Sequence, residues 1–193
     1  MPSQPLLIAL IIGSTRAGRF CPVVADWFAA QAALRPDMAL DVIDLADVDL
    51  PSAYPGERSP AMAAYVERIG AADAYVVVTP EYNHGYPAVL KQAIDLPREE
   101  WKAKAVGFVS YGGVAGGLRA VEQLRQVFAE LHVATMRDTV SFHNGHRAFD
   151  ASGRPRDPER AALAATTMLD QLAWWARALR TARMMDHARV RAA

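Results

Sequence analysis

Three short, almost continuously apolar runs stand out along the chain, and glycine, proline or polar residues follow each of them. The runs cover residues 6–12, 75–79 and 105–109. Runs of this length without polar alternation are typical of parallel strands that are covered on both faces. Residues 38–45 form a fourth strand candidate, and residues 133–136 with 139–142 form a fifth that is split in the middle.

Between and after these runs, apolar positions recur at steps of three and four, which is the period of an amphipathic helix. The period is present over residues 23–28 and 118–131, and a last long helix is predicted over residues 158–181. Residues 47–60, which contain three prolines, are predicted to form a long irregular connection. Strands that alternate with helices predict an α/β fold, here a flavodoxin-like three-layer sandwich with a five-stranded parallel sheet.

Composition and charge narrow the class of protein. The chain has 193 residues, of which 52% are hydrophobic and 22% charged, so we expect a single domain over residues 1–193. The 21 basic residues balance the 21 acidic ones, which argues against attraction to nucleic acid or to anionic lipid. The chain shows no secretion signal, its apolar runs are too short to span a bilayer, and Cys21 stands alone. We therefore expect a cytoplasmic protein without disulfides.

Unusual loops follow the three apolar runs. Their sequences are GSTRAGR at residues 13–19, PEYNHGYP at residues 80–87 and SYGGVAGG at residues 110–117. In open parallel sheets, ligands bind beyond the carboxyl ends of the strands. The three loops are therefore predicted to form one binding site.

The first loop has the composition of a phosphate-binding turn. A glycine permits a tight turn, two hydroxyls can donate hydrogen bonds, two arginines add positive charge, and the amides of the next helix favour an anion. These residues are Gly13, Ser14, Thr15, Arg16 and Arg19. The loop is not a Walker A motif, because Arg19 and Phe20 stand where that motif has lysine and a hydroxyl residue. An ordinary strand-to-helix turn capped by serine is the alternative.

The second and third loops suit a flat heterocyclic ring. Loop glycines, proline and asparagine expose backbone amides and carbonyls, while Tyr82 and Tyr111 offer aromatic contact. The paired Gly112 and Gly113 permit a close approach to the backbone. A phosphate at one end and a planar ring at the other describe flavin mononucleotide (FMN).

These loops resemble the motifs of the NAD(P)H-dependent FMN reductases, a flavodoxin-like group that includes quinone, azo-dye and chromate reductases. The resemblance spans residues 6–131. It implies that one set of residues holds the FMN phosphate, namely Ser14, Thr15, Arg16, Gly18, Arg19 and Phe20. It implies that a second set lines the isoalloxazine ring and ribityl chain, namely Pro80, Glu81, Tyr82, Asn83, Ser110, Tyr111, Gly112 and Gly113. Arg19 and Phe20 depart from the serine- and asparagine-rich sequence of many members.

The resemblance also implies a reaction. Hydride passes from NADPH or NADH through bound FMN to a quinone, azo, flavin or metal-oxyanion acceptor. The flavin carries the chemistry, so no catalytic acid or base is expected from the protein. Members of the group are usually homodimers or homotetramers, which implies the same assembly here.

Two other functions remain as alternatives. A non-catalytic flavodoxin-type electron carrier has the same fold and cofactor, but such carriers are commonly strongly acidic. A serine hydrolase could use Ser110 at the end of a strand, but the chain lacks the Gly-x-Ser-x-Gly elbow of that class.

Some reactive or aromatic residues are predicted to have structural roles. Cys21 near a helix start is interpreted as a small packing residue. His143 and His146 have a spacing that could suit a metal, but no further ligands accompany them, so no metal site is expected. Trp174 and Trp175 on the last helix are predicted to lie in the core or in an interface.

Overall fold

The structure, a computed structural model, describes residues 4–51, 53 and 56–192, with side chains as far as residue 185. Within this part of the chain, six strands form one parallel sheet. They are β1 (Leu6–Ile12), β2 (Met38–Asp44), β3 (Ala74–Pro80), β4 (Ala105–Tyr111), β5 (Ala134–Thr135) and β6 (Val140–Phe142). The order is β2-β1-β3-β4-β5, and β6 also pairs with β4. Since β5 and β6 follow one another along β4, they are the two pieces of the predicted split strand.

Helices cover both faces of the sheet. They are α1 (Cys21–Ala32), α2 (Pro60–Ala71), α3 (Ala88–Asp95), α4 (Leu118–Glu130), the short α5 (Gly145–Ala148) and α6 (Pro158–Ala192). Helices α1 and α6 pack on one face, and α2, α3 and α4 pack on the other. All seven residues of β3 and all seven of β4 are buried, because both faces are covered. This burial explains why the strands are apolar without alternation.

Helix α2 was not predicted from the sequence. Its first turn follows Pro60, and the hydroxyl of Ser59 accepts a hydrogen bond from the amide of Met62 at 3.3 Å, which caps the helix. Its buried residues, among them Tyr65 and Ile69, lie at helical spacing. The prolines of residues 47–60 predict a loop, and the sequence pattern was not interpreted as a helix beyond it.

Helix α6 is longer than predicted. It runs from Pro158 to Ala192 rather than ending near residue 181, because the sequence beyond Pro158 contains neither proline nor glycine to stop it. Trp174 and Trp175 on this helix are 64% and 42% exposed, so they do not lie in the core of the chain, and their place in an interface stays a prediction. Among the described residues, no helix combines the length and apolar character needed to cross a membrane.

Candidate active site

The three predicted loops meet in one cleft at the carboxyl edge of the sheet, with a volume of about 560 Å³. A fourth segment, which follows β6, completes its wall. The lining residues are Arg16, Pro80, Glu81, Tyr82, Tyr111, Gly112, Gly113, Asn144, Gly145, His146 and Arg147. The prediction that the loops converge is therefore correct.

A partly buried hydrogen bond between two hydroxyl groups joins the first loop to the second. Ser14 is fully buried, and its hydroxyl oxygen lies 2.8 Å from the phenol oxygen of Tyr82. At the turn itself, a Cβ added to Gly13 would stand 2.9 Å from the carbonyl oxygen of Val78, so only glycine fits there. Thr15 follows and is exposed. The loop leaves the sheet with its first hydroxyl buried and its next residues open to solvent.

The two arginines of the first loop have different surroundings. The guanidinium of Arg19 donates to both carboxylate oxygens of Asp44 at 2.5 and 2.6 Å and to the carbonyl of Ser14 at 2.6 Å. The hydrogen bond to Asp44 raises the pKa of Arg19 above its ordinary value. Arg16 is exposed, lies 5.9 Å from the ring centroid of Tyr82, and makes no ion pair with any described residue. Arg16 is thus open to an anion, whereas the charge of Arg19 is already paired with Asp44.

The second loop folds into a tight turn. The backbone groups of Tyr82 and Gly85 bond to each other at 2.8 and 3.0 Å, and Asn83 and His84 between them have left-handed φ values of 49° and 70°. Asn83 is exposed at the tip of this turn.

Glu81 lines the cleft and is paired with the start of helix α4. Its carboxylate accepts hydrogen bonds from the guanidinium and the backbone amide of Arg119, at 2.8 and 3.2 Å. This pair fixes the second loop against the start of α4, so the predicted cofactor residue Glu81 is placed where it holds the loop.

The hydroxyl of Ser110 serves the third loop. Ser110 is fully buried and donates a hydrogen bond to the carbonyl of Gly116 at 2.9 Å. Gly117 has a φ of 87°, and a Cβ there would lie 2.6 Å from the Ser110 side chain. A buried serine whose hydroxyl already donates a hydrogen bond to a backbone carbonyl is poorly placed as a nucleophile. This geometry weighs against the hydrolase alternative.

Tyr111 is packed more deeply than its predicted role in ring contact suggests. It is 6% exposed, and its ring meets the edge of Phe20 at a centroid distance of 5.8 Å. Burial raises the pKa of its phenol above the ordinary value. Gly112 beside it is needed for close packing, because a Cβ there would lie 3.0 Å from the amide nitrogen of Gly117.

The fourth segment, residues 144–147, was missed as part of the binding site. The amides of Asn144 and Gly145 donate to the carbonyls of Gly113 and Gly112, both at 2.8 Å, and fasten the segment to the third loop. The ring of His146 lies 4.6 Å from that of Phe20, next to the first loop. An asparagine-glycine pair directly after the fifth strand was the available signal, since it marks a turn at the same edge of the sheet.

Cys21 and His143 are engaged in contacts within the protein. Cys21 is fully buried, and burial raises the pKa of its thiol to about 11, in agreement with its predicted packing role. The Nδ1 atom of His143 lies 2.6 Å from the carbonyl oxygen of Val114. Within the described residues, no group of three or more histidine, cysteine or acidic side chains is arranged to hold a metal.

The donor set of the cleft fits FMN. Among the residues that the structure describes, no carboxylate pairs with the guanidinium of Arg16, which suits a phosphate, and no atom lies within 4 Å of a Cβ placed at Gly113, so the backbone there is accessible. The ring of Tyr82 suits an aromatic partner.

Comparison with known proteins decides the family. Residues 6–147 match the family profile described as NADPH-dependent FMN reductase. The chain belongs to this family. An NAD(P)H-dependent FMN reductase of Schizosaccharomyces pombe is 37% identical over 138 residues, which are 66% of this chain and 68% of the yeast protein. A 2-hydroxy-1,4-benzoquinone reductase of Burkholderia is 32% identical over 184 residues, 89% of this chain and 97% of that protein.

Comparison with solved structures finds a similar fold in a flavoenzyme. FerB of Paracoccus denitrificans, a flavoenzyme NAD(P)H:(acceptor) oxidoreductase, superposes with a TM-score of 0.73 at 23% identity, over 89% of this chain and 97% of FerB. The flavodoxin-like fold is thus confirmed. Family membership confirms an oxidoreductase that depends on FMN and NAD(P)H. The matched region ends at Arg147 and so includes the fourth segment of the cleft.

Proposed function

We propose that this oxidoreductase binds FMN across the four-segment cleft and reduces quinones with hydride from NAD(P)H. The observation that carries the proposal is that three loops converge on one cleft, where the guanidinium of Arg16 is accessible to an anion. The name of the Burkholderia relative, a benzoquinone reductase that matches nearly the whole chain, supports a quinone as the acceptor. The predicted azo, flavin and metal-oxyanion acceptors are alternatives that the same test compares.

The protein's part in this reaction is to bind and to orient. Bound FMN supplies the hydride chemistry. Arg16 binds the phosphate with charge-assisted hydrogen bonds, and Thr15 and Gly18 form the exposed tip of the same turn. The hydroxyl pair of Ser14 and Tyr82 keeps the first two loops in register, which orients the cofactor between them.

The remaining predicted residues act mainly through the shape of the cleft. Gly113 leaves the backbone accessible to the ring, Gly112 permits the close packing of the third loop, and Pro80 ends the buried strand β3 beside them. Phe20 packs under Tyr111 and His146 and so supports the floor of the site. Ser110 fixes the third loop through Gly116.

The test is an anaerobic titration of the purified protein loaded with FMN. NADPH or NADH should bleach the flavin absorbance rapidly, and an added benzoquinone should restore it with turnover. Slow bleaching would identify an electron carrier instead, and a protein that retains no FMN would refute the proposal. A panel with an azo dye, chromate and free flavin, each with both nicotinamides, then ranks the acceptors and the two reductants.

The proposal includes a homodimer or homotetramer in the cytoplasm. Helix α6 supports the assembly, since it exposes large apolar side chains that a partner could cover. These are Leu163, Trp174, Trp175, Met184 and Met185. Sedimentation equilibrium of the wild type and of Trp174→Glu tests the assembly: the wild type should be a dimer or tetramer, and a monomeric wild type would contradict it.

A further inference from the structure

The cleft contains a second arginine that the sequence did not single out. We propose that Arg147, rather than Arg19, is the second arginine that binds the FMN phosphate together with Arg16. This inference rests on the proposed function, because it concerns the same cofactor in the same cleft.

Arg19 is already used within the protein. Three hydrogen bonds leave its guanidinium, two to Asp44 and one to the carbonyl of Ser14. The side chains of Arg19 and Asp44 are 18% and 19% exposed, so the pair is largely shielded from water. A phosphate that recruited Arg19 would share its single positive charge with Asp44 and so place two anions beside one cation in this shielded position. Arg19 is therefore better suited to hold the first loop than to hold a ligand.

Arg147 lies on the wall of the cleft with its charge available. It lines the cleft and is exposed, and it forms no ion pair or side-chain hydrogen bond with any residue that the structure describes. The segment that carries it is held on two sides: the amides of Asn144 and Gly145 bond to the third loop, and His146 packs on Phe20 of the first loop. A cation on a segment held in this way needs little further ordering to meet an anion.

The charge of the cleft supports the same assignment. Glu81 is the acidic residue among the described lining residues, and Arg119 already compensates it. Arg16 and Arg147 then leave two uncompensated positive charges. A phosphate monoester carries a charge of roughly −1.5 to −2 at neutral pH, which two guanidinium groups match and one does not. The contact of His146 with Phe20 brings the Arg147 segment to the side of the cleft where the first loop ends.

The experiment compares FMN with riboflavin, which lacks only the phosphate. Dissociation constants of both flavins are measured by fluorescence quenching for the wild type, Arg147→Ala and Arg16→Ala. Each variant should weaken FMN binding by about tenfold, the effect of losing one charge-assisted interaction, and leave riboflavin binding unchanged. Arg147→Lys should recover part of the loss, because it restores the charge without the planar fork.

Controls separate this role from a general effect. Arg137→Ala removes an arginine that is 90% exposed and pairs with Asp138 outside the cleft, so both flavins should bind to it as to the wild type. Circular dichroism and the melting temperature of Arg147→Ala should also match the wild type. These readouts do not depend on the activity of the loaded enzyme.

Three results would overturn the assignment. They are an equal weakening of both flavins in Arg147→Ala, unchanged binding of both flavins with an unchanged KM for NADPH, and unchanged binding of both flavins with a raised KM for NADPH. The last would assign Arg147 to the nicotinamide nucleotide. A wild type that binds neither flavin would instead refute the proposed function, so the two failures are distinguishable.

Discussion

The two edges of the sheet both carry arginines, but they use them differently. At the amino edge, where the parallel strands begin, the carboxylate of Asp73 accepts hydrogen bonds from the amide of Leu7 at 3.0 Å, from Arg180 at 3.0 Å and from Arg183 at 3.5 Å. At the carboxyl edge, Arg16 and Arg147 line a cleft and have no ion-pair partner among the described residues. The first arrangement stabilises the fold, and the second is available to a ligand.

The amino edge is closed by several elements at once. Arg183 also donates to the carbonyl of Ala103 at 2.5 Å, and the ammonium of Lys104 donates to the carbonyls of Ile69 and Gly70 at 3.0 and 2.7 Å. These bonds join α6 and α2 to the segments that precede the first residues of β3 and β4. The comparison teaches that the number of arginines at an edge says little, whereas the partners of each guanidinium separate structural from binding residues.

The largest expected effect comes from opening the amino edge. Asp73→Ala removes the acceptor shared by Arg180 and Arg183, and it should lower the free energy of unfolding by about 3 kcal/mol, because two largely shielded cations lose their partner. Chemical denaturation measures this loss, and FMN affinity at the other edge should stay unchanged. Glu122→Ala is the control, since Glu122 is 72% exposed in a surface pair with Arg125 and should matter by less than about 0.5 kcal/mol. Equal effects of the two variants would contradict the comparison.

The second prediction concerns Arg19, which lies at the carboxyl edge but is paired with a carboxylate, as the arginines of the amino edge are. Asp44→Asn removes the charge that Arg19 pairs with but keeps an oxygen for the amide of Ala46. The free energy of unfolding should fall by about 2 kcal/mol through the loss of a bidentate charged pair. Chemical denaturation and FMN titration are carried out on Asp44→Asn and, for comparison, on Arg16→Ala. Asp44→Asn should be less stable than the wild type and bind FMN as tightly. Arg16→Ala should be as stable as the wild type and bind FMN more weakly. Weaker FMN binding in Asp44→Asn would show that the pair belongs to the binding site.

The sequence was sufficient for the parts of the molecule that depend on local pattern. The strands β1, β3 and β4 are apolar because both of their faces are buried, and this pattern predicted their positions, the split fifth strand and the edge at which the loops meet. The glycines of the first and third loops can be read directly from the sequence. The family resemblance rested on these same local features, and it was confirmed.

What the sequence did not predict depends on contacts between distant residues. The sequence does not distinguish the roles of Arg16 and Arg19, because both lie in the first loop. Only the packing of this loop against β2 shows that Arg19 forms an ion pair with Asp44. The segment with Arg147 becomes part of the cleft through backbone bonds to the third loop. The Asn144-Gly145 pair marks a turn at this edge of the sheet, but it does not reveal those bonds. The end of α6 was predicted too early, although the residues beyond Pro158 include neither proline nor glycine to stop the helix.

A smaller effect is expected from the hydroxyl pair that joins the first two loops. Tyr82→Phe leaves the buried hydroxyl of Ser14 without its partner and should lower the free energy of unfolding by about 1.5 kcal/mol, with FMN binding weakened severalfold. Thermal denaturation and FMN titration measure both. Tyr86→Phe is the matched control, because the Tyr86 phenol makes no hydrogen bond with any other described residue. If both variants behave alike, the pair does not orient the loops.

The smallest effect is a pH dependence at the amino edge. Lys104 is 5% exposed, and burial, assisted by the nearby charge of Arg183, lowers its pKa from 10.5 to about 8. Between these values the unfolded chain holds more protons than the folded one, so this group makes stability rise with pH. The free energy of unfolding of the wild type minus that of Lys104→Met should therefore increase by about 1 kcal/mol from about pH 7 to about pH 9. The raised thiol pKa of Cys21 acts with the opposite sign, but it is present in both proteins and cancels in the difference. A difference that does not change with pH would mean that the carbonyls of Ile69 and Gly70 fully compensate the buried ammonium.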